Sequence, residues 1–196
     1  MKKIIAAALA MGMVLSMSTA VMAEEEDPNT HVFEAEYTYM EDVVGGRISG
    51  AAAGLNMILE NADASNEFYV GSTHSDKCVL TYKITAEEDT TATLRLVLAN
   101  ELGAMKINPD TLIISVNDEA IEYDEFELPA ETQSVGKTFT QFKVGDIDLT
   151  AGENTITFQV GANEYCNGGT GGPLFDCMKL TCETGLTMEE YPENIE

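Results

Sequence analysis

Short runs of alternating apolar and polar residues, each closed by turn-forming residues, constrain this chain more than any other feature. Leu80, Tyr82 and Ile84 share one face of a run whose other face carries Thr81 and Lys83. Ile156, Phe158 and Val160 repeat the pattern against Thr155, Thr157 and Gln159. Period-two alternation is the signature of a half-buried strand, because successive side chains leave a β-strand on opposite faces. Candidate strands are 32–37, 67–70, 77–85, 92–99, 111–116, 120–123, 137–144, 154–161 and 175–182. Asn108-Pro109-Asp110, Asn117-Asp118 and Ala151-Gly152-Glu153-Asn154 supply turn chemistry between them. Short strands at this spacing, with no long helical pattern, predict an all-β fold, an antiparallel β-sandwich. The segment 51–60 reads equally as a helix or as a loop packing Leu55, Met57 and Ile58. The longest irregular stretch is 41–66, and a loop of that length in a compact domain is usually functional.

Charge narrows the function classes. The chain carries 34 Asp+Glu against 10 Lys+Arg, a formal net charge of -24. Phosphate backbones and anionic lipids are bound by neutralisation with Lys and Arg, so nucleic acid is excluded as a partner. With 44% hydrophobic residues the chain can still bury a core. An acidic surface of this kind suits solubility or the holding of hard cations.

Residues 1–23 read as a signal peptide. Lys2 and Lys3 form a positive start, an apolar run follows, and small residues close it at Val21-Met22-Ala23 before Glu24-Glu25-Glu26-Asp27. The run is too short for a good membrane span, so a secreted, extracellular protein without membrane insertion is expected. Residues 24–31 read as an acidic extension, 32–183 as the sandwich domain and 184–196 as an acidic tail. An oxidising destination permits disulfides among Cys78, Cys166, Cys177 and Cys182. Cys166 with Cys177 is the easiest pair across the Gly-rich loop, and four buried thiols are the alternative.

The acids carry the most chemistry. Glu34 and Glu36 stand two apart on a candidate strand, so both carboxylates are expected on one face, where like charges repel. Asp176 opens the last candidate strand, directly after Gly168-Gly169-Thr170-Gly171-Gly172-Pro173. If first and last strands are neighbours, three carboxylates converge. Calcium then fits, since it takes about 6–8 oxygen ligands at about 2.3–2.6 Å.

Several fragments, in order, resemble the family 6 and family 35 carbohydrate-binding modules. They are Phe33-Glu34-Ala35-Glu36-Tyr37, Ser65-Asn66-Glu67-Phe68-Tyr69-Val70-Gly71, Leu96-Val97-Leu98-Ala99-Asn100, Ala151-Gly152-Glu153-Asn154-Thr155 and Gly172-Pro173-Leu174-Phe175-Asp176. The resemblance covers about residues 32–183. It implies a jelly-roll β-sandwich and a structural calcium held by Glu34, Glu36 and Asp176, with backbone carbonyls near Ser65 to Glu67 as further donors. It also implies a glycan or polysaccharide partner and no catalytic activity, within a larger secreted assembly in some settings.

The sugar-binding positions match less well. Where related modules often carry Asn, this chain has Leu174; where they carry Gly after Ser-Asn, it has Glu67; and it contains no Trp. Candidate ligand contacts are Tyr165, Asn167, Asn163, Asn100 and Tyr39, which offer an aromatic face or amides for hydroxyl groups. A structural or protein-interaction domain that has lost sugar binding is the alternative. Nucleophilic catalysis lacks a motif: Ser72, His74 and Asp76 crowd one turn, whereas a triad is assembled in space.

Overall fold

The computed structural model describes residues 27–40, 43–44, 56–71, 73, 78–100, 103–130, 138–161 and 172–195. Numbered in chain order, the first strands are β1 (Thr30–Glu34), β2 (Val43–Val44), β3 (Asn56–Glu60), β4 (Phe68–Gly71), β5 (Val79–Ala86), β6 (Thr90–Ala99) and β7 (Met105–Ile107). The rest are β8 (Leu112–Val116), β9 (Glu119–Ala120), β10 (Phe126–Leu128), β11 (Thr140–Leu149), β12 (Gly152–Val160), β13 (Leu174–Thr181) and β14 (Leu186–Met188). One sheet runs β14-β5-β12-β8-β9; the other runs β11-β6-β13-β4-β3-β2, with β1 also paired to β13. A ribbon of β7 and β10 lies outside both. Every strand pair is antiparallel except β2 with β3. This is the expected antiparallel β-sandwich of jelly-roll type.

Alternation decides which face of each strand meets the other sheet. On β5, Leu80, Tyr82, Ile84 and Ala86 are buried while Thr81, Lys83 and Thr85 face outward. On β12, Ile156, Phe158 and Val160 are buried with them. Tyr82 meets Phe158 edge-on at 5.4 Å, and Phe158 reaches Phe175 of the opposite sheet at 6.2 Å. These rings form the middle of one apolar core that both sheets share. The β8–β9 hairpin turns on Asn117 (φ 51) and Asp118 (φ 67). A two-residue turn with both φ positive matches strand twist, and Asn and Asp tolerate that conformation best after Gly.

Four expectations are corrected. The first strand ends at Glu34 rather than at residue 37, and Ala35–Tyr37 form a 3₁₀ turn. The segment 51–60, read as helix or loop, supplies strand β3 at Asn56–Glu60, whose apolar Met57 and Ile58 are buried. Thr30 and His31, placed in the N-terminal extension, already belong to β1, opposite Thr181 and Leu180. The predicted tail 184–196 folds against the domain: Leu186 and Met188 pair with Ala86 and Ile84, and a second 3₁₀ turn follows at Pro192–Asn194. Leu186 is buried in the common core, which is why this acidic segment stays docked.

Cys177, expected to pair with Cys166, is a buried free thiol, as is Cys182. Cys166 lies outside the described residues, as do residues 1–23, the expected signal peptide. Among the described residues no helix is long and apolar enough to cross a membrane.

Candidate functional site

Strands β1 and β4 meet at a seam along β13. Strand β1 pairs along this edge as far as Glu34, opposite Cys177. Strand β4 takes over the same sheet position at Val70, opposite Phe175. Asp176 lies between the two registers. On the other edge of β13, Phe175 faces Leu98 and Cys177 faces Val97, so Asp176 is the extra residue of a β-bulge. Bulges re-aim a side chain and interrupt pairing. Here the interruption falls where one neighbour leaves and another arrives. The approach to β13 is tight: a Cβ on Gly172 would lie 1.8 Å from the Thr73 carbonyl oxygen.

Three segments surround Asp176. Glu34 closes β1, and the 3₁₀ turn behind it rotates Glu36 inward until it is 0% exposed. The β3–β4 connection folds over both through Asn61 N to Glu67 O (2.8 Å) and Glu67 N to Ala64 O (3.2 Å). Glu67 holds φ 64 to complete that turn. A left-handed backbone is the conformation glycine adopts without penalty.

The turn presents Ser65 and Asn66 to the acids. Ser65 N donates to Asp176 Oδ1 at 2.8 Å. Its Oγ lies 2.5 Å from Glu34 Oε2 and 3.0 Å from Asp176 Oδ1. Asn66 Nδ2 donates to Glu36 Oε1 at 2.8 Å and to the Tyr37 hydroxyl at 3.1 Å. The second Glu36 oxygen, Oε2, is buried without a hydrogen-bond partner.

Burial pushes all three carboxyls above their usual range. For Glu36 it outweighs the Asn66 hydrogen bond and, with Glu34 and Asp176 close by, carries the group up to about 7. For Glu34, burial raises the carboxyl against the Ser65 hydrogen bond, Asp176 adds to the rise, and the Lys179 ammonium pulls back. Asp176 is raised by burial and restrained by its Ser65 and Cys177 hydrogen bonds and by Lys179. Burial also lifts the adjacent Cys177 thiol, further helped by Asp176 and Glu34.

Among the described residues no group of three or more His, Cys, Asp or Glu side chains is arranged as a metal site. Instead, Ser65 and Asn66 stand among the carboxylates and satisfy one oxygen on each. The donor set is nevertheless all hard oxygen: three carboxylates, a hydroxyl and an amide. The unpaired Glu36 Oε2 is a buried acceptor that lacks a positive partner, a costly state on its own.

Of the predicted sugar contacts, Tyr165, Asn163 and Asn167 lie outside the described residues. Asn100 is only 1% exposed, and its amide donates to the Gly103 carbonyl; it braces a loop and offers no face to a ligand, which corrects the expectation. Leu174 is buried as well. Tyr39 is 39% exposed, with its ring 5.5 Å from Tyr191 and the Lys83 ammonium 5.3 Å from its centre. Sequence reading missed the Ser65 and Asn66 side chains, having looked there only for carbonyls. It also missed an open cleft of about 330 Å³ beside that turn, lined by Glu60, Asn61, Ala62, Glu67 and Phe68.

No family model and no curated protein matches this chain. Solved structures do. A family 35 carbohydrate-binding module from Clostridium thermocellum is similar at 21% identity and TM-score 0.54, over 78% of this chain and 98% of that one. The CBM35 from Cellvibrio japonicus Abf62 is similar at 13% identity and TM-score 0.51, over 81% and 96%. The Podospora anserina GH26-CBM35 β-(1,4)-mannanase matches at 19% identity and TM-score 0.55, over 78% of this chain, which spans only 27% of that enzyme. The chain therefore has the β-sandwich fold of the family 35 carbohydrate-binding modules.

Proposed function

We propose that this protein is a secreted, non-catalytic carbohydrate-binding module whose strands β1 and β13 are joined through a calcium ion, β14 following as the last strand. The observation that carries the calcium reading is the convergence of Glu34, Glu36 and Asp176 on the Ser65–Asn66 turn, with Glu36 Oε2 buried and unpaired. Glu34, Glu36 and Asp176 would hold the ion, and Ser65 and Asn66 would reorient around it. Calcium bound there supplies the positive charge that three desolvated carboxylates lack.

The cleft beside the turn supports glycan recognition. Phe68 gives it an apolar wall, and Glu60, Asn61 and Glu67 bring hydrogen-bonding groups of the kind sugar hydroxyls need. Tyr165, Asn163 and Asn167 remain ligand contacts of this proposal, and Tyr39 is an exposed ring on a separate face. A second reading, an interaction domain on the same scaffold that has lost sugar binding, is favoured by the burial of Asn100 and Leu174.

A glycan array probed with the mature protein in calcium separates the readings. Retention on any polysaccharide, weakened by Phe68→Ala, supports the module. Silence across the array, with calcium binding intact, favours the interaction domain.

A further inference from the structure

The 3₁₀ turn that carries Glu36 has its backbone held from an unexpected direction. Beyond β14, Glu189 N donates to Lys83 O at 3.0 Å, and Tyr191 N donates to Tyr37 O at 2.9 Å. The second 3₁₀ turn then buries Asn194, which is 7% exposed. Asn194 Nδ2 donates to Glu36 O at 3.0 Å and to Thr38 O at 2.9 Å. Three consecutive carbonyls, of Glu36, Tyr37 and Thr38, thus accept from Tyr191 and Asn194 of one C-terminal segment.

That segment is pinned in turn. The Lys83 ammonium bonds the Tyr191 hydroxyl and Glu189 Oε2, and lies 5.1 Å from the Tyr191 ring centre. A short 3₁₀ turn has few internal bonds of its own, so its shape depends on such outside partners. The orientation of Glu36 follows from the shape of that turn.

We infer that Asn194 is a positioning residue for the candidate cation site, with the C-terminal segment acting as a strap that sets how well Glu36 serves as a ligand. This rests on the calcium reading above. Residues that fix a ligand from outside commonly change metal affinity about 10–100-fold when removed. The side-chain amide is the working part, because it donates both protons to carbonyls, which neither Ala nor Asp can do.

The test compares Asn194→Ala, Asn194→Asp and Asn154→Ala in the full mature protein. Asn154 is also buried but braces the Thr150–Gly152 turn, so its loss destabilises without touching the strap. Calcium affinity is measured by calorimetry, and the Asn66 side-chain amide protons, which report the bond to Glu36, are followed by NMR in chelator. The expected result is affinity at least about tenfold weaker in both Asn194 variants, with faster exchange of the Asn66 amide protons. Asn154→Ala should leave both within about twofold, as for distant sites.

Unchanged affinity and unchanged Asn66 exchange in Asn194→Ala, despite a lower melting temperature, would reduce the strap to general stability and overturn the inference. Absence of calcium binding by the parent protein overturns the cation reading alone. In that event the Asn66 exchange still decides whether Asn194 positions Glu36.

Discussion

Asn66 binds one carboxylate oxygen of Glu36 at 2.8 Å and leaves the other, Oε2, buried and unpaired. Half of this acid is satisfied by the fold, and half is not. The same geometry has a pH signature. The Glu36 carboxyl sits at about 7 in the fold against an ordinary value of 4.5, so the folded metal-free protein holds this proton more tightly than the unfolded chain. Its contribution to stability is complete below about 4.5 and declines as pH rises through about 7. Urea unfolding in chelator should therefore show a Glu36-dependent loss of about 2 kcal/mol between pH 5 and pH 8. Glu36→Gln should remove that slope; an identical slope in the variant would contradict the assignment.

Adding calcium at pH 8 should reverse the loss. At about 100 times the dissociation constant, a single site adds about 2.7 kcal/mol to stability, read as a higher melting temperature that chelator abolishes. Glu36→Gln and Asp176→Asn should each blunt this response, while Glu125→Gln, on the exposed β7–β10 side, should keep it. A full calcium response in Asp176→Asn would exclude that carboxylate as a ligand.

Glu67 occupies a left-handed backbone position at φ 64, and glycine suits it better. Glu67→Gly should raise stability by about 0.5–1 kcal/mol, because relief of a strain of about 1–2 kcal/mol exceeds the added entropy of the unfolded chain. Glu67→Val should lower it. Thermal melts at high salt, which screens exposed charges, isolate this backbone effect from the charge change.

Phe158 joins Tyr82 of its own sheet to Phe175 of the other and is fully buried. Its replacement by Ala should cost about 3–5 kcal/mol through lost burial and the cavity left behind. Chemical denaturation reads this directly. A cost below about 1 kcal/mol would mean that the two sheets do not share this contact in solution.

Local pattern settled much of the architecture before any contact was known. The alternation of Leu80, Tyr82 and Ile84 against Thr81 and Lys83 became the buried and exposed faces of β5. Asn117-Asp118 became a hairpin turn because two small polar side chains tolerate positive φ. Asn56–Glu60 hid because its first three residues are all buried, which erases the period-two signal. Leu186–Met188 hid because three residues are too few to show a period at all.

The sequence alone determined most of the strands, many core-facing residues and the identity of three acids worth watching, since these follow from local pattern along the chain. Tertiary structure alone decided that β1 yields its edge of β13 to β4 at Asp176, and that Ser65 reaches that acid across 111 residues. It likewise decided that Asn100 is buried and that Asn194 grips the Glu36 turn. Periodicity is a property of neighbours in the chain, whereas desolvation and hydrogen-bond satisfaction depend on whatever distant segment covers a group. The charge on Glu36 is governed by that cover.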